Sequence, residues 1–339
     1  MIFSDRLQQD EPLVLDGGFG TQLFERGVKL PNSALANQQY PDAVAGVHSD
    51  YIDAGVDVIE TNTFVASSLH LEMAASDDAD ATTLAGLAVK AARRAVEERD
   101  TDRKVYVAGA LGPSPGAIEA DAGDTDFGIA DSKVRKAHTE VATAMAEGDV
   151  DLFLVETQFS AREAAIAVDV ARQFGLPIGV SMTYKYTKDR ASGDVVYRTD
   201  WGHSAADVVE ILSSGKHSNG VDLLPYLSLL GLNCGAESRR EEHSGMAYAM
   251  EGIRESKKAL EGVGMDNVRL LAYPNAGLPK YNRETHGTYY AQSPSDMAAR
   301  VKELHDSGAW MIGGCCGTSP AHIRAFRAAL DAAPFGDAG

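Results

Sequence analysis

The sequence predicts an α/β protein folded as a (β/α)8 barrel, and three observations predict it. Eight short apolar runs recur along the 339 residues, each followed by a stretch of helical periodicity. The runs are rich in Val, Ile or Leu and bounded by Gly, Pro or Asp, as strands buried on both faces should be. Their spacing stays regular from end to end, and no G-x-G-x-x-G follows the first run, which argues against a doubly wound sheet.

In chain order the strands are expected at residues 12–16, 56–61, 104–111, 151–156, 177–183, 227–234, 268–273 and 309–314. Helices are expected between them, at 42–54, 79–98, 133–147, 161–174, 237–260, 294–307 and 320–330. Ser293-Pro294 and Ser319-Pro320 read as helix starts, with Ser capping and Pro at the first helical position. Gly55 and Gly148 each close a helix before a strand. A polar insertion at 184–202 carries Tyr184, Tyr186, Tyr197 and Trp201, at the barrel end where loops cover active sites. The pattern implies a single domain, 1–339, with its core at about 12–331.

The formal net charge of −18 argues against nucleic acid and anionic lipid, whose recognition rests on Lys and Arg. The acid excess, densest at 77–80 and 121–126, reads as a solvated surface. No apolar run reaches the length of a membrane span, and residues 1–12 lack the basic start and apolar stretch of a secretory signal. A cytoplasmic protein is expected. The chain has three cysteines, an odd count with two adjacent, which is no disulfide framework.

In a barrel the chemistry gathers where the strands end. The first strand ends Asp16-Gly17-Gly18, the second Glu60-Thr61-Asn62-Thr63, the fourth Glu156-Thr157. The sixth ends Asn233-Cys234, the seventh Pro274-Asn275, the eighth Gly314-Cys315-Cys316-Gly317. All three cysteines therefore fall on one rim. A lone cysteine is more often a small buried hydrophobe. Three converging thiols, two of them flanked by glycine, point instead to a metal. Thiolates suit Zn2+, and three protein ligands leave a fourth position open, the mark of a catalytic site. A thiol entering that position would lose its proton and stay nucleophilic, so the inferred chemistry is thiol alkylation. Asp16 and Glu156 could pair with a substrate ammonium, or serve as a helix cap or strand-end ion pair. Gly17 and Gly18 offer N–H groups to a carboxylate. Thiol, amine and carboxylate together describe an amino-acid thiol. The scattered histidines, such as His203 and His286, read as surface or loop residues.

At these residues the chain resembles the homocysteine S-methyltransferase family, from about Leu13 to about Leu330. The matching signatures are Leu-Asp-Gly-Gly-Phe-Gly-Thr at 15–21, Glu-Thr-Asn-Thr-Phe at 60–64, Gly-Leu-Asn-Cys at 231–234, Tyr-Pro-Asn-Ala-Gly at 273–277 and Gly-Gly-Cys-Cys-Gly-Thr at 313–318. The last, paired with an upstream Asn-Cys, is highly specific. The resemblance implies a TIM barrel with Zn2+ held by Cys234, Cys315 and Cys316, the centre of catalysis. It implies L-homocysteine as methyl acceptor, with Glu156 on its amine and Asp16, Gly17 and Thr61 lining the amino-acid end. It sets Asn233 and Asn275 beside the metal, with an oxygen near Asn275 filling the fourth position in the absence of substrate.

Family members draw the methyl group from S-methylmethionine, S-adenosylmethionine, betaine or methylcobalamin. The chain shows no corrinoid, folate or reactivation module, so a small free donor is expected, S-methylmethionine or S-adenosylmethionine first. Asn-Ala-Gly-Leu-Pro at 275–279 resembles the homocysteine module of cobalamin-dependent methionine synthase, which keeps a separate corrinoid protein as the alternative. The loop at 27–40 lacks the tryptophan expected of a betaine site. Two competing readings are a thiol-binding regulatory module and a barrel whose zinc is closed by a fourth protein ligand.

Overall fold

Strand pairing runs in one direction around a ring. The computed structural model describes residues 1–76, 78–123, 127–235, 240–284 and 287–332. The barrel strands are β1 (Leu13–Val14), β2 (Val58–Glu60), β3 (Tyr106–Leu111), β4 (Leu152–Gln158), β5 (Ile178–Met182), β6 (Leu227–Cys234), β7 (Arg269–Pro274) and β8 (Ala309–Ile312). All pair in parallel, in the order β1-β8-β7-β6-β5-β4-β3-β2. A parallel bridge between Leu15 and Val58 brings β1 to β2 and completes the ring. That seam is fastened by side chains: the Val14 N–H donates to Asp57 Oδ2 at 2.8 Å, and Arg327 pairs with the same carboxylate. The expected (β/α)8 architecture is observed.

Alternation along each strand sorts two cores. Inward residues Leu13, Leu15, Val58, Tyr106, Leu152, Leu154, Leu229, Leu271 and Tyr273 fill the barrel. Outward residues such as Val14, Ile59, Val107, Phe153 and Val155 pack against Val44, Leu84, Val141 and Val168 of the surrounding helices. Those helices include Pro41–Asp53, Ala81–Glu98, Asp131–Glu147, Ala161–Ala171, Ala205–Ser213, Gly245–Glu261 and Pro320–Asp331. No helix among the described residues is long and apolar enough to cross a membrane.

Several expectations change in detail. The helix expected at 294–307 is two, Pro294–Ala298 and Val301–Asp306, and Ser293 caps the first as anticipated. The helix expected to begin at 237 begins at Gly245; residues 237–239 lie outside the described residues, as does His286. Gly55 takes the left-handed conformation (φ +93°), but after 147 Asp149 takes it (φ +68°) rather than Gly148. Gly148 is needed for closeness instead, since a Cβ there would stand 2.8 Å from Val89. The core also begins earlier than residue 12. A short helix, Phe3–Arg6, closes the lower end of the barrel, and the Phe3 ring meets Tyr106 edge-on at 5.1 Å.

The insertion at 184–202 forms an antiparallel hairpin, Lys185–Lys188 with Val195–Arg198. Tyr184 and Tyr197 are buried, Tyr197 Oη lies 2.8 Å from His243 Nδ1, and Tyr186 stacks on the same imidazole. A second hairpin, Pro279–Asn282 with Gly287–Tyr290, follows β7 and was not foreseen.

Two glycines give opposite expectations. A Cβ on Gly231 would lie 1.8 Å from the Leu271 carbonyl oxygen on the neighbouring strand. Gly86, inside the helix Ala81–Glu98, has nothing within 4 Å of the same position. Gly231→Ala should lower the urea unfolding free energy by about 3 kcal/mol or more, and Gly86→Ala should raise it by roughly 0.5–1 kcal/mol.

Candidate active site

The strands that fill the barrel with apolar side chains below present polar ones above. On β4 the inward series Leu152, Leu154 continues to Glu156; on β6, Leu229 and Gly231 lead to Asn233; on β7, Leu271 and Tyr273 lead to Asn275. The pocket floor is thus set by the same period that builds the core.

Cys234, Cys315 and Cys316 converge there, with sulfurs all within 4.8 Å of one another and 4.0 Å between Cys315 and Cys316. Three sulfurs on a tetrahedral zinc with 2.3 Å bonds stand about 3.8 Å apart, so the trio needs only a small contraction to hold one. It is the one such cluster of metal-ligating side chains among the described residues. Backbone pairing produces the convergence. The Cys315 N–H donates to the Pro274 carbonyl at 2.9 Å, the Asn275 N–H to the Cys234 carbonyl at 3.0 Å, and the Ala276 N–H to the Cys316 carbonyl at 3.0 Å. Cys234 itself turns left-handed, with φ +59°, a conformation that non-glycine residues seldom adopt outside functional sites. Hydrogen bonding to Cys234 and burial push the Cys316 thiol up to about 11, and Cys315 rises well above the ordinary thiol value for the same reasons. Three crowded thiols resist becoming thiolates together, and a bound cation reverses that preference.

The polar shell is continuous with the cysteines. Asn275 Nδ2 lies 3.6 Å from Cys234 Sγ, and its Oδ1 is buried with no partner. Asn233 Nδ2 lies 3.9 Å from Cys315 Sγ and donates to Thr157 Oγ1 at 2.6 Å. Asn233 Oδ1 accepts from the Thr157 N–H at 3.0 Å and from Ser181 Oγ at 2.6 Å. Thr157 needs this grip: it is β-branched yet has φ +53°. Its neighbour Glu156 is buried, and burial together with the nearby Cys234 pushes that carboxyl up to about 8.

Asp16 is 1 % exposed; its Oδ2 accepts from the Glu60 N–H at 2.9 Å, while its Oδ1 has no partner. Gly17 is packed tightly, since a Cβ would meet Thr318 Oγ1 at 2.7 Å and Tyr51 Oη at 2.8 Å. The Gly18 N–H, expected to be open to a carboxylate, donates to Thr318 Oγ1 at 3.0 Å. Thr61 departs further from expectation. Its hydroxyl lies 2.8 Å from Thr63 Oγ1 and accepts from the Ala110 N–H at 3.1 Å, and its N–H donates to the Ala108 carbonyl. Thr61 is therefore committed to the β2–β3 wall. His203 lies in a loop, one of the two settings expected, and is buried there with its Nδ1 accepting from the Ala161 N–H at 3.3 Å.

Sequence reasoning missed Thr157 and Ser181, which hold Asn233, and Tyr290, whose ring fills the space over Gly317 beside Cys316. A Cβ on Gly317 would lie 2.1 Å from that ring, so the glycine after the cysteine pair was the available signal. Asn233→Ala should cost about 2–4 kcal/mol in urea unfolding of the metal-free protein, because the Thr157 and Ser181 donors lose a buried acceptor. A loss below ~1 kcal/mol would mean that the sheet alone holds Thr157.

Comparison with known proteins agrees with this geometry. The chain is 30 % identical over 329 residues to methionine synthase of Mycobacterium tuberculosis, and 31 % identical over 335 residues to that of Mycobacterium leprae. Each match covers 94 % of this chain but only 24 % of the relative, so the chain spans about a quarter of the length of these enzymes. Among solved structures, the homocysteine methyltransferase MmuM from Escherichia coli shares the fold. Its metallated form superposes with a TM-score of 0.67 at 22 % identity, covering 96 % of this chain and 98 % of that one. Its oxidized form gives 0.67 at 23 % identity, covering 95 % and 96 %. The family model described as homocysteine S-methyltransferase matches residues 13–330, and the chain belongs to that family.

Proposed function

We propose that this chain places a methyl group on the thiol of L-homocysteine to give methionine, with Cys234, Cys315 and Cys316 holding Zn2+. The observation that carries the reading is the convergence of the three thiols, within 4.8 Å, on a barrel rim that also buries Asp16 and Glu156. The solved relative described as metallated supports a metal in this fold.

Cys234, Cys315 and Cys316 would hold the ion, which would supply Lewis acidity that favours the ionised, nucleophilic form of the acceptor thiol. The chain's own residues do the positioning. Glu156 accepts from the substrate ammonium, and Asp16 offers its unpartnered Oδ1 to the same end. Gly17 lines the amino-acid end, and Asn233 keeps the β4 and β6 ends in register. Asn275 Oδ1, buried beside Cys234 without a partner, would be an oxygen available to an ion held by the three cysteines. Methyl transfer forms a sulfur–carbon bond as the donor's bond to that carbon breaks, and the electron pair leaves with the donor. No general base is required at that moment, because the acceptor proton has already gone.

For the donor we favour a small free molecule, S-methylmethionine or S-adenosylmethionine. A second reading rests on a specific observation: the chain matches one quarter of two methionine synthases. On that reading it is the homocysteine-binding component of a larger system, and a separate corrinoid protein brings the methyl group. Zinc-loaded protein incubated with L-homocysteine and each donor in turn, with methionine read by mass spectrometry, tests both. Turnover with S-methylmethionine or S-adenosylmethionine supports the first. Turnover only with methylcobalamin or a methylated corrinoid protein supports the second. No methionine from any of them overturns the proposal.

Cys316→Ser should lose most bound zinc and reduce turnover at least ~100-fold, as read by metal analysis and methionine formation. Retention of both would remove Cys316 from the ligand set. Glu156→Ala should weaken homocysteine binding, measured by calorimetry, with the zinc content unchanged. Normal homocysteine affinity would make Glu156 structural.

A further inference from the structure

One buried carboxylate at the rim has no role in this account. Glu60 ends β2, two residues beyond the inward-facing Val58, so the strand period aims it into the barrel. The residue is half-buried, but its Oε1 is sealed from solvent and has no partner. Its backbone N–H holds Asp16 Oδ2 at 2.9 Å, which ties the Asp16 carboxylate to the end of β2. Asp16, only 1 % exposed, leaves Oδ1 equally without a partner. Glu156 is the third member, close enough that its charge bears on both. Burial is the largest influence on each of the three and raises each above the ordinary carboxylate range; mutual repulsion adds to it for Asp16 and Glu60. Among the described residues, no lysine or arginine figures among the groups acting on any of them.

Buried carboxylates without a cation are expensive to keep. A cationic ligand removes that cost, and a primary ammonium offers three N–H donors on one nitrogen. Three inward carboxylates from the ends of β1, β2 and β4 match that number. We propose that Glu60 is a substrate-binding residue, the third acceptor, with Asp16 and Glu156, for the ammonium of the amino-acid thiol. The inference rests on the homocysteine reading above and deepens it, because it makes the α-amine, and not the thiol alone, a requirement of the site.

The test compares two thiols in zinc-loaded protein: L-homocysteine, and 4-mercaptobutyrate, which keeps the thiol and carboxylate but lacks the amine. Titration calorimetry on the wild type, Glu60→Gln and Glu60→Asp supplies the dissociation constants, and metal analysis supplies the zinc content. Glu60→Gln should weaken homocysteine roughly 10- to 100-fold while leaving 4-mercaptobutyrate and zinc unchanged. Glu60→Asp, which keeps the charge, should recover part of the homocysteine affinity. Equal homocysteine affinity in wild type and Glu60→Gln would overturn the assignment. So would parallel loss of both thiols, the signature of a structural residue. Wild-type protein that binds 4-mercaptobutyrate as tightly as homocysteine would overturn the ammonium site while sparing the thiol chemistry. Wild-type protein that binds neither would overturn the homocysteine reading itself.

Discussion

Everything at the rim depends on bringing three sulfurs, from two strands that are not neighbours, to one point. Cys234 ends β6, Cys315 and Cys316 follow β8, and β7 lies between them. A strand that simply continued would carry its side chains past one another, so the backbone has to turn. Cys234 does so by entering the left-handed region, and the following Gly235 stays there with φ +81°. β7 then serves both flanks. Its Pro274 carbonyl receives the Cys315 N–H, and residues 275 and 276 donate to the carbonyls of Cys234 and Cys316. The strand that contributes no cysteine is therefore the one that sets the distance between the other two. A strained, cross-braced rim of this kind is the sort of local cost a fold carries where geometry must be fixed in advance.

The same bracing extends to the amino-acid end of the pocket. Asn233 is one residue before Cys234 and reaches across to Thr157, one residue after Glu156. A single amide thus ties the strand that ends in Cys234 to the strand that carries Glu156. Displacing either end would strain Thr157, whose left-handed φ is unusual for a β-branched residue. Thr318 does similar work on the other flank: its hydroxyl donates to the Cys315 carbonyl at 2.7 Å and accepts from the Gly18 N–H. The cysteines and the buried carboxyls are consequently tied together by hydrogen bonds between the strand ends.

Much of this was legible in the sequence because two signals are strong there. Apolar runs with Gly, Pro or Asp at their ends located all eight barrel strands, as in β6, where the expected and observed limits coincide at Leu227–Cys234. The rarity of cysteine made its position at strand ends informative. What stayed hidden depends on tertiary contact. The family resemblance set Thr61 at the amino-acid end of the site, yet its hydroxyl is engaged by Thr63 and Ala110 across the wall. The Gly18 N–H looked open, but its partner Thr318 is 300 residues away in sequence. Asp149, not Gly148, took the left-handed turn, since packing against Val89 rather than backbone freedom selected the glycine. Phe3 carried no strand or helix pattern long enough to read, and only the Tyr106 ring reveals it as a barrel plug.

Charge explains why so polar a rim persists inside an apolar barrel. The rim sets three carboxyls and three thiols close together; burial raises Asp16, Glu60 and Glu156 toward their neutral forms, and hydrogen bonding to Cys234 together with burial does the same for Cys315 and Cys316. Neutral groups tolerate burial better, so the surroundings of these groups favour their protonated forms. A dication at the sulfurs and an ammonium at the carboxylates would each favour the ionised forms and so draw those protons away. On the reading proposed above, each end of the rim would exchange protons for a cation with no movement of the backbone. The braces at Asn233 and Thr318 matter because an electrostatic interaction between two groups is only as constant as the distance between them.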